Sequence, residues 1–127
     1  MDVDRRVVPA VSPMAALTGY SRAVRVGNTV AVAGTAPVMP EGDPPADAYG
    51  QAKRCLEIIV GALAEVGAGP EHVVRTRVYV TRAEDWPEVG RAHGEVFGTA
   101  RPASTMVVTA LLDPKWLVEI EADAIVP

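Results

Sequence analysis

The 127-residue sequence contains a single cysteine, Cys55. One thiol cannot close an intrachain disulfide, and a CxxC pair or a Cys/His zinc set is excluded with it. Positive charge is also in short supply: 12 Lys and Arg stand against 16 Asp and Glu, a net charge of −4. Phosphate backbones are gripped by clustered cations, so nucleic acid is not an expected partner. No apolar run approaches the ~20 residues that cross a bilayer, and no membrane partner is expected. The opening Met1-Asp2-Val3-Asp4-Arg5-Arg6 lacks the basic-then-apolar layout of a secretory leader. A cytoplasmic protein is the expectation. Internal repeats and low-complexity tracts are missing as well.

What is present is ordinary globular composition, 49% hydrophobic and 22% charged. At this length it supplies one hydrophobic core. Residues 1–19, punctuated by Pro9 and Pro13, read as an irregular N-terminal segment, and residues 20–127 as one domain. Ala23–Val26 and Thr29–Val32 flank Gly27-Asn28, the signature of a two-residue primed hairpin turn. Pro37–Pro45 is rich in Pro, Gly and Asp and reads as a mobile loop. A helix is expected over about 47–66, because Ala52, Leu56, Ile59, Val60 and Leu63 form one stripe. Gly67 and Pro70 end it.

Val73–Val80 reads as a strand. A second helix is expected over about 86–97, with Asp85 and Glu88 at capping-box spacing and Pro87 in its first turn. Gly90 and Gly94 share a face of it and suggest close backbone packing. Two strands close the chain, Ser104–Leu111 and Leu117–Ile125. The order β-β-α-β-α-β gives an α+β fold, one mixed sheet with two helices on one face. The runs Met106–Leu111 and Val30–Ala33 do not alternate apolar with polar residues. The sheet's second face is therefore read as too apolar for water, and a second copy of the chain as its cover. The rival covers are the 37–45 loop and the N-terminal segment.

Several strings in this order resemble the RidA/YjgF family. They are Gly19-Tyr20-Ser21-Arg22-Ala23-Val24, Val26-Gly27-Asn28-Thr29-Val30, Ala33-Gly34, Gln51-Ala52, Val78-Tyr79-Val80, Arg101-Pro102-Ala103-Ser104-Thr105 and Val118-Glu119-Ile120-Glu121-Ala122. The resemblance implies a chorismate-mutase-like fold and a homotrimer with a small-molecule cleft between neighbouring subunits. It also implies hydrolysis of reactive enamines or imines, products of dehydratases that use pyridoxal phosphate, to a keto acid and ammonia, with no metal or cofactor.

Carried onto this chain, the resemblance makes Glu119 the group that positions the attacking water, Tyr20 a cleft tyrosine and Gly34 part of the cleft wall. Four positions depart from the family pattern. Ser104 stands where an arginine grips the substrate carboxylate, Met106 where a cysteine stands, Gly90 where an asparagine stands, and Ala33 in place of a serine. A serine cannot replace a bidentate guanidinium–carboxylate contact. The substrate is therefore expected to be a small electrophile held without that anchor. The alternative is a binding module that keeps the cleft and has lost the chemistry. Arg101, three residues from Ser104, is expected to point to the opposite strand face; Arg77 is a second candidate, and which of the two, if either, replaces the arginine is open at this point. His93, a lone histidine without a placed partner, is left out of the site. Cys55, beside the apolar helix stripe, is expected to be inert.

Overall fold

The computed structural model describes residues 4–127. Six strands form one sheet: β1 (Arg5–Pro9), β2 (Ser21–Val26), β3 (Thr29–Thr35), β4 (Val73–Val80), β5 (Ala103–Val108) and β6 (Val118–Ile125). Their spatial order is β1-β2-β3-β6-β4-β5. All neighbours run antiparallel except the parallel β4–β5 pair. A short helix α1 (Met14–Thr18) precedes β2, and the long helices are α2 (Ala48–Glu65) and α3 (Trp86–Phe97).

The β-β-α-β-α-β order stands as β2-β3-α2-β4-α3-β5; the second closing strand, β6, follows it in the chain and lies between β3 and β4 in the sheet. The N-terminal segment corrects the sequence reading. Residues 5–9 are a strand paired with β2, not irregular chain. Its Pro9 falls at a register shift, where a missing N–H costs nothing.

Alternation in the central strands decides which face the helices cover. Val118, Ile120, Ala122 and Ala124 of β6 are buried, as are Thr76, Val78 and Val80 of β4. They meet Ala52, Cys55, Leu56, Ile59 and Leu63 of α2 and Val89, Ala92 and Phe97 of α3. The Asp47 carboxylate accepts from the Gly50 N–H at 2.7 Å and caps α2. At the other end Arg25 Nη1 donates to the Val66 carbonyl at 2.7 Å. The capping box expected at α3 does not form: Asp85 pairs with Arg82 and Glu88 with Arg91. Gly90 and Gly94 are not crowded by another backbone either; a Cβ at Gly90 would meet only the Trp86 ring, at 3.9 Å.

The hairpin turn uses positive φ once, at Gly27 (φ 58°), as a turn with glycine in its first central position requires. The 37–45 loop, read as mobile, is tied down at three points. Arg54 Nε donates to the Val38 carbonyl, Gln51 Nε2 to the Pro45 carbonyl, and Lys115 Nζ to Asp43. It lies along the N-terminal half of α2, on the helical side.

The 37–45 loop therefore does not cover the open face, and residues 5–9 of the N-terminal segment extend the sheet at its edge. That face is also less uniformly apolar than the sequence suggested. Met106 is in register with Val78, and so belongs to the helical side. One row across the open face reads Val7, Val24, Ala31, Asp123, Arg75, Ala103. Its β1–β3 half is apolar. Its β6–β4 half is an ionic ladder: Arg77 Nη1 lies 3.3 Å from Glu121 and 3.2 Å from Asp123, and the Tyr79 hydroxyl donates to Glu121 at 2.6 Å.

Candidate active site

The residues singled out from the sequence fall into two clusters. The first lies on the open face where β3 ends and β6 begins. Glu119 pairs across from Tyr79 and is half-buried. The Gly34 backbone lies directly against it: a Cβ at position 34 would sit 2.6 Å from Glu119 Oε2. Burial pushes the Glu119 carboxyl above its ordinary pKa, the neighbouring Glu121 charge adds to the rise, and Arg22 opposes it. A carboxylate shifted toward neutrality in this way is suited to taking a proton from water. Tyr20 is half-buried immediately before β2.

Arg22 belongs to this cluster and was not singled out from the sequence. Its Nη2 donates to the Gly34 carbonyl at 2.7 Å, which ties β2 to the segment facing Glu119. Its Nε is buried and has no hydrogen-bond partner among the described residues. Burial lowers the guanidinium pKa, while Tyr20 and Glu119 pull it back up. The signal available in the sequence was position: Arg22 shares a strand face with Val24 and lies two residues from Tyr20.

The second cluster lies on the helical face at the β5 edge. Ser104 and Met106 share that face, in register with Thr76 and Val78. Ser104 is exposed and Met106 half-buried. Gly90 lies one turn before His93 on α3. His93 has the partner that the sequence could not assign. Its Nε2 lies 2.8 Å from Thr76 Oγ1, and Thr76 Oγ1 lies 2.8 Å from Ser104 Oγ. Burial lowers the His93 pKa, which favours the neutral ring. A polar Thr76 among the buried positions of β4 was the readable hint.

One chain does not bring the clusters together. β4 separates β6 from β5, which sets the two clusters about 9–10 Å apart across the sheet. Ser104 is level with Thr76, three residues along β4 from Tyr79 and Glu119, and it is on the opposite face. Of the two arginines weighed as substitutes, Arg77 is engaged by Glu121 and Asp123 on the open face, whereas Arg101, at φ 51°, borders the second cluster and lines a pocket of about 260 Å³ with its His93 and with Phe97. The Cys55 thiol is buried and its pKa is pushed well up by that burial, consistent with an inert group. Among the described residues, no three His, Cys, Asp or Glu side chains gather in a metal-binding group, and no helix is long and apolar enough to cross a membrane.

Residues 10–126 match the family described as endoribonuclease L-PSP. A Mycobacterium tuberculosis member of the YjgF/YER057c/UK114 family, known from its crystal structure, is 46% identical. It superposes with a TM-score of 0.88 over 97% of this chain and 100% of that one. A RutC family protein of Pyrococcus abyssi is 36% identical over 107 residues, 83% of this chain and 84% of that protein. An Escherichia coli protein named 2-iminobutanoate/2-iminopropanoate deaminase is 32% identical over 116 residues, 87% of this chain and 90% of that protein.

Proposed function

We propose, from the premise that this chain belongs to the YjgF/RidA family of endoribonuclease L-PSP proteins, that it hydrolyses a small imine or enamine in a cleft completed by a second copy of itself. The observation that carries this reading is the division of the site. Glu119, with the Gly34 backbone against it, lies on one face of the sheet, and Ser104 and Met106 lie on the other at its β5 edge. A single chain cannot converge them on one substrate. A neighbouring copy, laid over the open face, can present its β5 edge to Glu119. A closed ring of copies, a trimer in our reading, repeats the junction at every contact. The uncovered valine and alanine patch on β1–β3 gives the contact its apolar part, and the ionic ladder gives it register.

The chemistry follows from the Glu119 environment. The carboxylate takes a proton from water as the water oxygen bonds to the C=N carbon, and passes it to the imine nitrogen, which gives the carbinolamine. As the hydroxyl becomes the carbonyl, Glu119 takes the hydroxyl proton and delivers it to the departing nitrogen, so ammonia leaves and the carboxylate is restored. Tyr20 lines the cleft, and Gly34 leaves room for the carboxylate. β5 is an outer strand, so backbone groups along its free edge are available to the substrate. With Ser104 where the family has an arginine, the substrate is held without the usual carboxylate fork. No metal or cofactor enters the scheme. The endoribonuclease name carries less weight for this chain, because a net charge of −4 gives a polyanion little to bind.

A second reading is supported by the four departures at Ala33, Gly90, Ser104 and Met106, each of which removes a polar or charged group. In it the cleft binds a small metabolite and does no chemistry. Ammonia release from freshly generated 2-iminobutanoate separates the two for the imino-acid substrate. A rate above that of buffer supports hydrolysis. Equal rates with and without protein remove imino-acid deamination.

A further inference from the structure

The structure points to a second chemical capacity in the β5 half of the site: we propose that Ser104 is a nucleophile, activated through Thr76 by His93, toward small acyl-type or sulfonyl electrophiles with a good leaving group. The proposal rests on the reading above only in taking Ser104 to face a space that small molecules enter.

The geometry is a three-member chain. Thr76 Oγ1 lies 2.8 Å from Ser104 Oγ on one side and 2.8 Å from His93 Nε2 on the other. Thr76 is completely buried, and Ser104 is the exposed end. A hydroxyl carries one proton and two lone pairs, so Thr76 can donate to one neighbour while accepting from the other. Thr76 Oγ1 donates to Ser104 Oγ in the structure; with the His93 proton on Nδ1, rotating the Thr76 hydroxyl hydrogen toward Nε2 lets Thr76 donate to His93 and accept from Ser104 at the same distances. Ser104 then points a lone pair outward with a base two links behind it. This is the arrangement of an activated hydroxyl with one extra link.

His93 is held for the role. Its ring packs on Phe97 at 4.8 Å between centroids, tilted 55°. It also lines the pocket that contains Arg101 and Pro102, through which its proton can pass to water. Satisfying a buried threonine needs one partner only. Packing therefore does not explain why the second partner is a titratable base, nor why the far end is an exposed hydroxyl.

In the attack, Ser104 Oγ bonds to the electrophilic centre as the bond to the leaving group breaks. The Ser104 proton passes to Thr76 as the Thr76 proton passes to His93 Nε2. The imidazolium releases its proton to solvent, and the leaving group departs as an anion. The free N–H groups on the outer edge of β5 are placed to receive negative charge that develops beside Ser104.

Phenylmethanesulfonyl fluoride tests the proposal without an imine. Ser104 Oγ would form an O–S bond as fluoride leaves, and the adduct would be located by peptide mass mapping. The expected result is modification at Ser104 in the unaltered protein. Labelling should slow at least tenfold in His93→Gln and Thr76→Val, and return in Thr76→Ser, which keeps the relaying hydroxyl. Thermal melts show whether each variant is folded; should Thr76→Val not fold, the His93→Gln and Thr76→Ser pair decides. No adduct at Ser104, or undiminished labelling in folded His93→Gln, would overturn the proposal. Labelling without ammonia release from 2-iminobutanoate leaves the relay standing and removes imino-acid deamination. Ammonia release without labelling does the reverse.

Discussion

Gly34 stands where any side chain would strike the Glu119 carboxylate: a Cβ there would lie 2.6 Å from Oε2 and 3.4 Å from Cδ. Gly34 is not among the glycines with positive φ, so the constraint is space and not backbone conformation. The atom in the way is the end of a flexible side chain. Gly34→Ala should therefore fold and melt close to the unaltered protein, because Glu119 can swing aside. Its activity should suffer, since displacing a catalytic group by an ångström costs on the order of a hundredfold. Steady-state ammonia release beside a thermal melt checks the pair, and unchanged activity would remove Glu119 from the mechanism.

Glu119→Gln separates base catalysis from binding. If the carboxylate takes the water proton, kcat should fall by about 10²–10⁴. The stability effect has the opposite sign. A carboxyl whose folded pKa lies above its unfolded value favours folding only while protonated. That contribution is full below the unfolded pKa and is lost as pH rises through the folded one. At neutral pH the ionised Glu119 is a burden that glutamine does not carry. The variant should melt no lower than the unaltered protein at pH 7, and relatively lower at pH 4.

Arg22 and Glu121 push the Glu119 titration in opposite directions, Glu121 upward and Arg22 downward. Arg22→Gln should move the acidic limb of the pH–rate profile to higher pH, and Glu121→Gln should move it lower. The Arg22 effect should be the smaller, since its influence ranks below burial and below Glu121. Profiles of kcat/KM for the two variants check both signs. Shifts in the same direction would mean that another group controls the limb.

Legibility in the sequence followed periodicity. Val73–Val80 and Trp86–Phe97 were readable to the residue, because apolar spacing and bounding glycine or proline agreed. Residues 5–9 were not, since a five-residue edge strand with four exposed positions carries no alternation to detect. The α3 cap was misread because Asp85 has a competing partner, Arg82, three residues before it. Glu119, Tyr20 and Gly34 were reached through family resemblance. Arg22 and the Thr76–His93 contact were not, because each depends on a tertiary approach between separate elements. The apolar reading of the open face erred for a related reason. Sequence alternation in β5 assigns Met106 and Val107 to opposite sides, and only the strand register says which side faces the helices.

The proposed division of the site between copies makes a prediction that a single-chain site would fail. Glu119→Gln disables one half, and Ser104→Trp, by filling the space beside β5, disables the other. Each variant alone should lack activity in every cleft of its assembly. After unfolding and refolding together in equal amounts, a cleft is intact when its Glu119 comes from a Ser104→Trp chain and its Ser104 from a Glu119→Gln chain. Random mixing in a closed ring makes that about one cleft in four. About a quarter of full activity should therefore return, and separately refolded variants mixed afterwards should regain less, to the extent that copies exchange slowly. If both halves of a site came from one chain, no mixture could contain an intact cleft, and the mixture would stay as inactive as its components.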